Sequence, residues 1–306
     1  MTAGTFGVES TALDVVDGLD LTGQSAIVTG ASSGIGVETA RAFASAGASV
    51  TLAVRDSAAG ERTAASLRAA TGNNNVRVVE LDLADLASVR SFATAWSGPL
   101  HFLINNAGIM HAPEQRTTAG WEMHMAVNHL GHFALATELL PALIEARNAR
   151  IVAVSSSGHA SSGIRFDDMF FRRDSYDAGL AYGQSKTANV LFAVEAARRW
   201  AAHGITAAAV MPGGVWTNLQ RYWDPEVLAD MKRQYPTKTP AQGAATSVYV
   251  ATRAHLAPDG PAYFEDCHPA RVVSEISDGV HGVLPHAVDP AVAQDLWDAS
   301  VDLVTE

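Results

Sequence analysis

From Ile27 to Gly47 the chain reads I-V-T-G-A-S-S-G-I-G-V-E-T-A-R-A-F-A-S-A-G, and this stretch limits the possible folds more than any other. Ser25 to Thr29 is a short apolar run with β-branched residues that stops at Gly30, the pattern of a buried strand. Gly30, Gly34 and Gly36 form a turn, after which Ala40, Phe43 and Ala44 recur at helical spacing until Gly47 ends the helix. A strand, a glycine turn and a helix in that order make an anion site. Bare backbone N–H groups and the positive end of the helix macrodipole face the turn, and glycine admits a pyrophosphate closely. A glycine-rich turn can also serve tight geometry alone, so the rest of the chain has to decide.

The rest repeats the alternation. Ser49 to Val54 reads as a second strand and Val76 to Leu81 as a third, separated by an Ala-rich helical stretch and the turn residues Gly72, Asn73, Asn74 and Asn75. Leu100 to Asn105 is a fourth, followed by a helical pattern from about Thr118 to Arg147. Ile151 to Ser155, Ile205 to Val210 and Ala262 to Glu265 complete the set. Strands separated by helices predict an α/β fold, a Rossmann-type doubly wound sheet of about seven parallel strands with helices on both faces. No linker, repeat or low-complexity tract divides the chain, so residues 1–306 read as one domain, with residues 1–20 as an N-terminal extension.

With 306 residues, 48% of them hydrophobic and 17% charged, the chain can bury a full core. A formal charge of −11 and the lack of a Lys/Arg run speak against a nucleic-acid partner. Met1 to Leu21 has neither a basic start nor a long apolar centre, so it does not read as a signal peptide or an anchor. No stretch reaches the roughly 18 apolar residues of a membrane span. The lone Cys267 excludes an internal disulfide and fits a reducing cytoplasm.

In a doubly wound sheet, ligands sit outside the carboxyl ends of the strands, near the point where strand order reverses. Six predicted strands end in residues useful there: Thr29 and Gly30; Arg55; Asp82 and Leu83; Asn105 to Gly108; Ser155 to Ser157; Met211 to Gly214. Such residues populate turns anyway, but six loops in agreement say more than any one. Three motifs then carry a resemblance: T-G-x-x-x-G-x-G at Thr29 to Gly36, N-N-A-G at Asn105 to Gly108, and Y-x-x-x-K at Tyr182 to Lys186. With Asn128, the serines and Pro212-Gly213, the chain resembles the short-chain dehydrogenase/reductase superfamily over roughly Asp20 to Cys267. V-N-H-L-G-H-F at Val127, A-Y-G-Q-S-K-T-A-N at Ala181 and Y-F-E-D-C at Tyr263 are similar to its retinol dehydrogenase, WW-domain oxidoreductase and protochlorophyllide reductase branch.

Cofactor choice turns on the end of the second strand. A carboxylate there would bond the 2′-hydroxyl of NAD, whereas a guanidinium pairs with the extra phosphate of NADP. Val54 stands where the acid would be and Arg55 follows, which points to NADP(H). The resemblance implies Gly30, Ser32, Ser33, Gly34, Ile35 and Gly36 around the phosphates and Asp82 and Leu83 near the adenine. It further implies Asn106, Ala107 and Gly108 along the ribose, and Pro212, Gly213, Val215 and Thr217 toward the nicotinamide.

Tyr182 and Lys186, at i and i+4 of a helix, project from one face. A free phenol titrates near 10, so a neighbouring ammonium is expected to bring it toward working range. The resemblance makes Tyr182 the general acid/base and gives Lys186 the nicotinamide ribose hydroxyls as well. It makes Ser156 the donor to the substrate oxygen, with Ser155 one register away, and gives Asn128 a water that joins Lys186 to solvent.

His129 and His132 share a helix face near His124. A metal site needs three or more ligands, usually with a carboxylate or cysteine in register, so no metal is expected. Residues 212–240, with Trp216, Tyr222, Trp223 and Tyr235, are expected to form a substrate lid, and Gly158 to Gly179, with Phe166, Phe170 and Phe171, a further pocket wall. That aromatic content predicts a bulky apolar or aromatic substrate. The resulting expectation is a cytoplasmic NADP(H)-dependent ketone or aldehyde reductase acting on a small-molecule carbonyl or alcohol. The resemblance allows a homodimer or homotetramer. The alternative is a catalytically idle NADP-binding sensor or scaffold.

Overall fold

The computed structural model describes residues 6–234, 237–257 and 260–305. Its strands are β1 (Ser25–Thr29), β2 (Ser49–Val54), β3 (Val76–Glu80), β4 (Phe102–Asn105), β5 (Arg150–Val154), β6 (Thr206–Met211), β7 (Tyr263–Glu265) and β8 (His268–Pro269). They form one sheet in the order β3-β2-β1-β4-β5-β6-β7-β8. The first seven are mutually parallel, as the alternating pattern predicts. The antiparallel β8 is an addition, paired through Glu265 with His268. Two residues, one of them proline, carry no strand signal, and proline is tolerated here because the strand lies at an edge.

Alternation along the strands feeds two apolar layers. Ile27 and Leu103 enter one layer, while Ala26, Val28, Phe102 and Ile104 enter the other. The covering helices are α1 (Ala12–Val16), α2 (Gly34–Ser45), α3 (Ser57–Thr71), α4 (Leu86–Thr94), α5 (Gly131–Glu138), α6 (Leu140–Glu145), α7 (Ala178–Trp200), α8 (Pro225–Gln234), α9 (Pro240–Gly243), α10 (Ala245–Thr252) and α11 (Pro290–Thr305). On one face Phe133 of α5 meets Trp297 of α11 at 4.9 Å between ring centroids, and on the other Phe43 of α2 meets Phe102 at 5.0 Å. Each fully buried aromatic of this kind contributes about 1.5–3 kcal/mol of transfer free energy.

The helical pattern expected over residues 118–147 starts later and is broken. Gly120 takes a positive φ of 79° and Arg116 bridges Glu122, so the segment opens as a turn. The buried Glu122 then accepts the Met125 N–H at 2.9 Å and starts a π-helix over Met125–Leu130, which runs on into α5. Pro141, at the start of α6, ends the continuity. At the N-terminus, Ala12, Val15 and Val16 of α1 are buried, and Arg253 donates to the carbonyls of Val15 and Asp17, which ties this segment to the α10 side. No helix among the described residues is long and apolar enough to cross a membrane.

Asp266 and Cys267, with φ of 48° and 62°, make the tight turn between β7 and β8. Cys267 is buried, and burial pushes its thiol up to about 11.

Candidate active site

The carboxyl ends of β1 to β6 open into a cleft of about 790 Å³. Its walls hold Gly30, Ser32, Ser33, Gly34, Ile35, Gly36, Arg55, Asp82, Leu83, Asn106, Ala107 and Gly108 at one end. Ser156, Tyr182, Lys186, Pro212, Gly213, Val215 and Thr217 complete them. Of the predicted residues, only Asn128 lies behind the wall, wholly buried. A smaller depression of about 370 Å³ sits at the amino ends of β1 and β2 and contains none of these residues.

At the phosphate-like end, α2 begins at Gly34, and its N-cap Ser33 makes no side-chain capping bond. By contrast α3, α4 and α7 are capped by the carboxylates of Asp56, Asp85 and Asp177. The first-turn N–H groups of α2 therefore remain for an anion. Gly36 is obligatory, since a Cβ there would fall 2.6 Å from Asn106 Nδ2 and 2.7 Å from the Gly30 carbonyl. That Asn106 amide donates to the Thr29 carbonyl at 2.7 Å and ties the N-N-A-G loop to β1. At the end of β2, Val54 is buried and Arg55 is exposed. The next acid, Asp56, is committed to the Ala59 N–H at 2.9 Å. Amide donors and a guanidinium are the chemistry that suits a phosphate-bearing ligand.

Tyr182 and Lys186 sit one turn apart on α7, 6% and 4% exposed. The Lys186 Nζ lies 5.6 Å from the centre of the Tyr182 ring and donates to the Val154 carbonyl at 2.9 Å. The Ser156 hydroxyl accepts the Gly158 N–H at 3.0 Å and faces the phenol. His159 Nδ1 lies 2.7 Å from the Ser156 carbonyl and fixes this serine from behind. Ser155 instead donates to the Lys186 carbonyl at 2.8 Å, so the second serine is the one turned to the tyrosine. Burial pushes the phenol up to about 12, the Ser156 hydroxyl pulling the other way, and burial brings the Lys186 ammonium down to about 8. At the phenol, burial is the dominant influence and the Ser156 hydroxyl the opposing one. Tyr182 is thus a neutral O–H donor at physiological pH.

Asn128 supports the cleft from the π-helix. Its Oδ1 accepts the Ile109 N–H at 2.9 Å, and its Nδ2 donates to the Ile109 carbonyl at 3.0 Å and to Ser185 Oγ at 2.9 Å. A π-turn inserts one residue into the helical repeat, and such insertions are frequent at functional sites.

The far end is closed by the segment after β6. Thr217 caps a short turn over Asn218–Gln220, and its methyl would lie 3.0 Å from a Cβ on Gly34, so this end touches the glycine turn. Lys238 pairs with Val215, donates its N–H to the Gly214 carbonyl at 2.9 Å and binds Asp266, which anchors the return of the segment. Between these anchors α8 buries none of its residues. Trp216, Trp223 and Met231 line the cleft, whereas Tyr222 points away and Tyr235 lies outside the described residues. The phenylalanine wall expected from residues 158–179 is not there. Only Gly158, Ser161 and Gly179 of that stretch reach the cleft. Phe170 stacks on Trp121, Phe171 packs on Tyr176, and Phe166 is exposed. Arg116 binds the carbonyls of Phe170 and Phe171 at 2.7 and 2.8 Å and folds that loop back on the body.

Each histidine of the π-helix region has its own partner: His124 on Glu122 at 2.7 Å, His129 on Ser300 at 2.8 Å, His132 on Thr29 at 2.8 Å. Among the described residues, no group of three or more metal-type ligands forms. Sequence reasoning missed His111, Gly279 and Val280, all on the cleft wall. His111 has φ 49° and lies with its ring 6.1 Å from Tyr182 and 5.3 Å from Trp223. A strained conformation leaves no local sequence signal here, and Gly279 and Val280 arrive from a distant segment without a motif.

Comparison with known proteins agrees with this geometry. The short chain dehydrogenase family model matches residues 24–227. A Streptomyces antibioticus protein named "Probable oxidoreductase" is 50% identical over 295 residues, covering 93% of this chain and 98% of that one. Human retinol dehydrogenase 11 is 42% identical over 289 residues, covering 94% of this chain and 87% of its own. Among solved structures, an uncharacterized protein from Mycobacterium paratuberculosis superimposes with a TM-score of 0.76 at 35% identity, over 97% of this chain and 98% of its own. The Pseudomonas aeruginosa RhlG/NADP active-site complex gives 0.64 at 26% identity, over 80% and 95%. With the tyrosine, lysine and serine meeting over the strand ends and the glycine turn opposite them, the chain belongs to the short-chain dehydrogenase/reductase family of oxidoreductases, in its retinol dehydrogenase-like branch.

Proposed function

We propose that this oxidoreductase is NADP(H)-dependent and reduces the carbonyl of a bulky apolar or aromatic small molecule, with oxidation of the alcohol as the reverse reaction. The observation that supports it most is the meeting of Tyr182, Ser156 and Lys186 on one wall of a cleft whose opposite end offers the uncapped α2 terminus and an exposed Arg55. Val54 is apolar and Asp56 is held as a helix cap, so Arg55 is the group left to meet the ribose 2′ position, where it suits a phosphate. Ser32 and Ser33 add hydroxyls to the phosphate cradle, Asp82 and Leu83 flank the adenine, and residues 106–108 follow the ribose. Pro212, Gly213, Val215 and Thr217 hold the nicotinamide side.

When bound, the nicotinamide supplies the hydride. Tyr182, kept protonated by burial, gives its proton to the carbonyl oxygen. Ser156 donates a hydrogen bond to the same oxygen and stabilises the charge that develops there. Lys186 holds the ribose hydroxyls and offsets the phenolate that forms. Asn128 keeps the lysine side of the cleft in register through Ser185 and Ile109. Residues 212–240 act as a lid over the substrate, and the chain works as one cytoplasmic domain that assembles as a homodimer or homotetramer.

A screen of aldehydes, ketones and quinones, followed by consumption of NADPH against NADH, tests the reading. Turnover of at least one bulky carbonyl with NADPH preferred is the expected result. Bound NADPH that no carbonyl oxidises would identify an idle sensor instead.

A further inference from the structure

Resting on the reading above and adding a residue that it does not use, we propose that His132 is a positioning residue for hydride transfer. It bridges the Thr29 hydroxyl to the Asn128 carbonyl and so locks the loop at residues 106–108 to the π-helix behind Lys186.

The hydrogens in this buried chain can be placed one by one. Thr29 ends β1 and is wholly buried. Its Oγ1 accepts the backbone N–H groups of Asn106 and Ala107, each at 2.9 Å. A hydroxyl has two acceptor lone pairs and one hydrogen, so the lone pairs are used and the hydrogen remains. Two acceptors compete for it: His132 Nε2 at 2.8 Å and the Ile104 carbonyl at 3.3 Å. The shorter contact is the imidazole. A neutral ring that accepts at Nε2 carries its hydrogen on Nδ1, and Nδ1 lies 3.0 Å from the Asn128 carbonyl. A second proton would set Nε2–H against an oxygen that already accepts two amides, and burial holds the ring down at about 4.

Both ends of the bridge reach the site. Asn106 and Ala107 line the cleft, and Asn128 grips Ile109 and Ser185, the neighbour of Lys186. At Gly108 the two sides nearly touch: a Cβ there would lie 3.2 Å from Asn128 Oδ1 and 3.6 Å from Lys186 Nζ. A shift of Asn128 therefore moves the corner where Lys186 meets the loop. The sequence makes room for the bridge through Gly131, whose Cβ would come within 2.2 Å of the Leu83 carbonyl, so α5 can press against the loop after β3. His129, three residues earlier, turns instead to Ser300 on α11 and touches none of this.

Three substitutions separate positioning from bulk packing. His132→Asn keeps an amide N–H near the place of Nδ1, His132→Gln keeps an amide near the place of Nε2, and His132→Phe removes both contacts while keeping a ring. Because small misplacements near reacting atoms are costly, kcat is expected to fall at least about tenfold in His132→Phe, by more than the NADPH dissociation constant rises, and to fall by less in His132→Asn and His132→Gln, each of which keeps one end of the bridge. Independently of turnover, nitrogen-15 spectra of the wild-type ring at neutral pH should show the proton on Nδ1 and a bare Nε2. A proton on Nε2, wild-type kcat in His132→Phe, or wild-type kcat in both the Asn and Gln variants would overturn the bridge. Should His132→Phe fail to fold, the Asn and Gln pair and the ring spectrum still decide. A wild type that oxidises no NADPH counts against the reductase reading, whereas an active wild type whose kcat ignores His132 counts against this inference alone.

Discussion

The two ends of the cleft are built on different principles. The phosphate-like end is backbone: a glycine turn, an uncapped helix terminus and a loop hydrogen-bonded to β1, packed so closely that Gly36 has no room for a methyl group. The substrate end is side chain: Trp216, Trp223 and Met231 presented by a segment whose α8 buries nothing. A ligand part of fixed shape can be held by main-chain amides, which no exposed substitution easily alters. On the proposed reading, substrate choice falls to the segment after β6, in which Trp216 and Trp223 precede α8 and Met231 lies on it, and α8 itself has no residue buried in the core.

That division can be broken in four places. Replacing Tyr182 with Phe should lower turnover by roughly 10²- to 10⁴-fold while leaving NADPH affinity unchanged; normal carbonyl reduction by this variant would remove the phenol from the mechanism. Arg55→Asp loses charge-assisted hydrogen bonds of about 1.5–3 kcal/mol, which predicts a roughly 10- to 100-fold swing of the kcat/KM ratio from NADPH toward NADH. An unchanged ratio detaches Arg55 from the cofactor.

The pH dependence comes third. Lys186, brought down to about 8 by burial, loses its charge as pH rises through that value, while Tyr182 at about 12 keeps its proton. Reductive kcat/KM should therefore decline above about pH 8, and a profile flat up to about pH 10 would contradict the role given to the ammonium. The smallest effect is expected at the lid. Trp223→Ala should raise KM for an aromatic substrate roughly three- to tenfold without moving NADPH affinity. An equal change in NADPH affinity would show that the two ends are one unit, coupled where Thr217 meets Gly34.

The same contrast explains what could be read from the residues alone. β1, β2 and the glycine turn were legible because buried parallel strands are continuous β-branched runs and glycines mark their ends. Tyr182, Lys186 and Ser156 were legible by spacing and order, and the cleft brings them together. The π-helix was not, since one inserted residue leaves the apolar periodicity of residues 118–147 almost intact. Phe170 and Phe171 misled because aromatic content does not reveal direction; the Arg116 guanidinium, from a remote segment, turns them away from the cleft. The burial that pushes the phenol upward was missed for a related reason: spacing shows which side chains are neighbours but not how far they are dehydrated. His132 drew attention as a metal ligand, and its actual partner, Thr29, stands 103 positions away.

The turn between β7 and β8 has a practical corollary. Sulfur attacks electrophiles as thiolate, and the single sulfhydryl of this protein is walled off and held in its protonated form. If the substrates are reactive carbonyls or quinones, as proposed, they meet no cysteine thiolate on the protein that handles them.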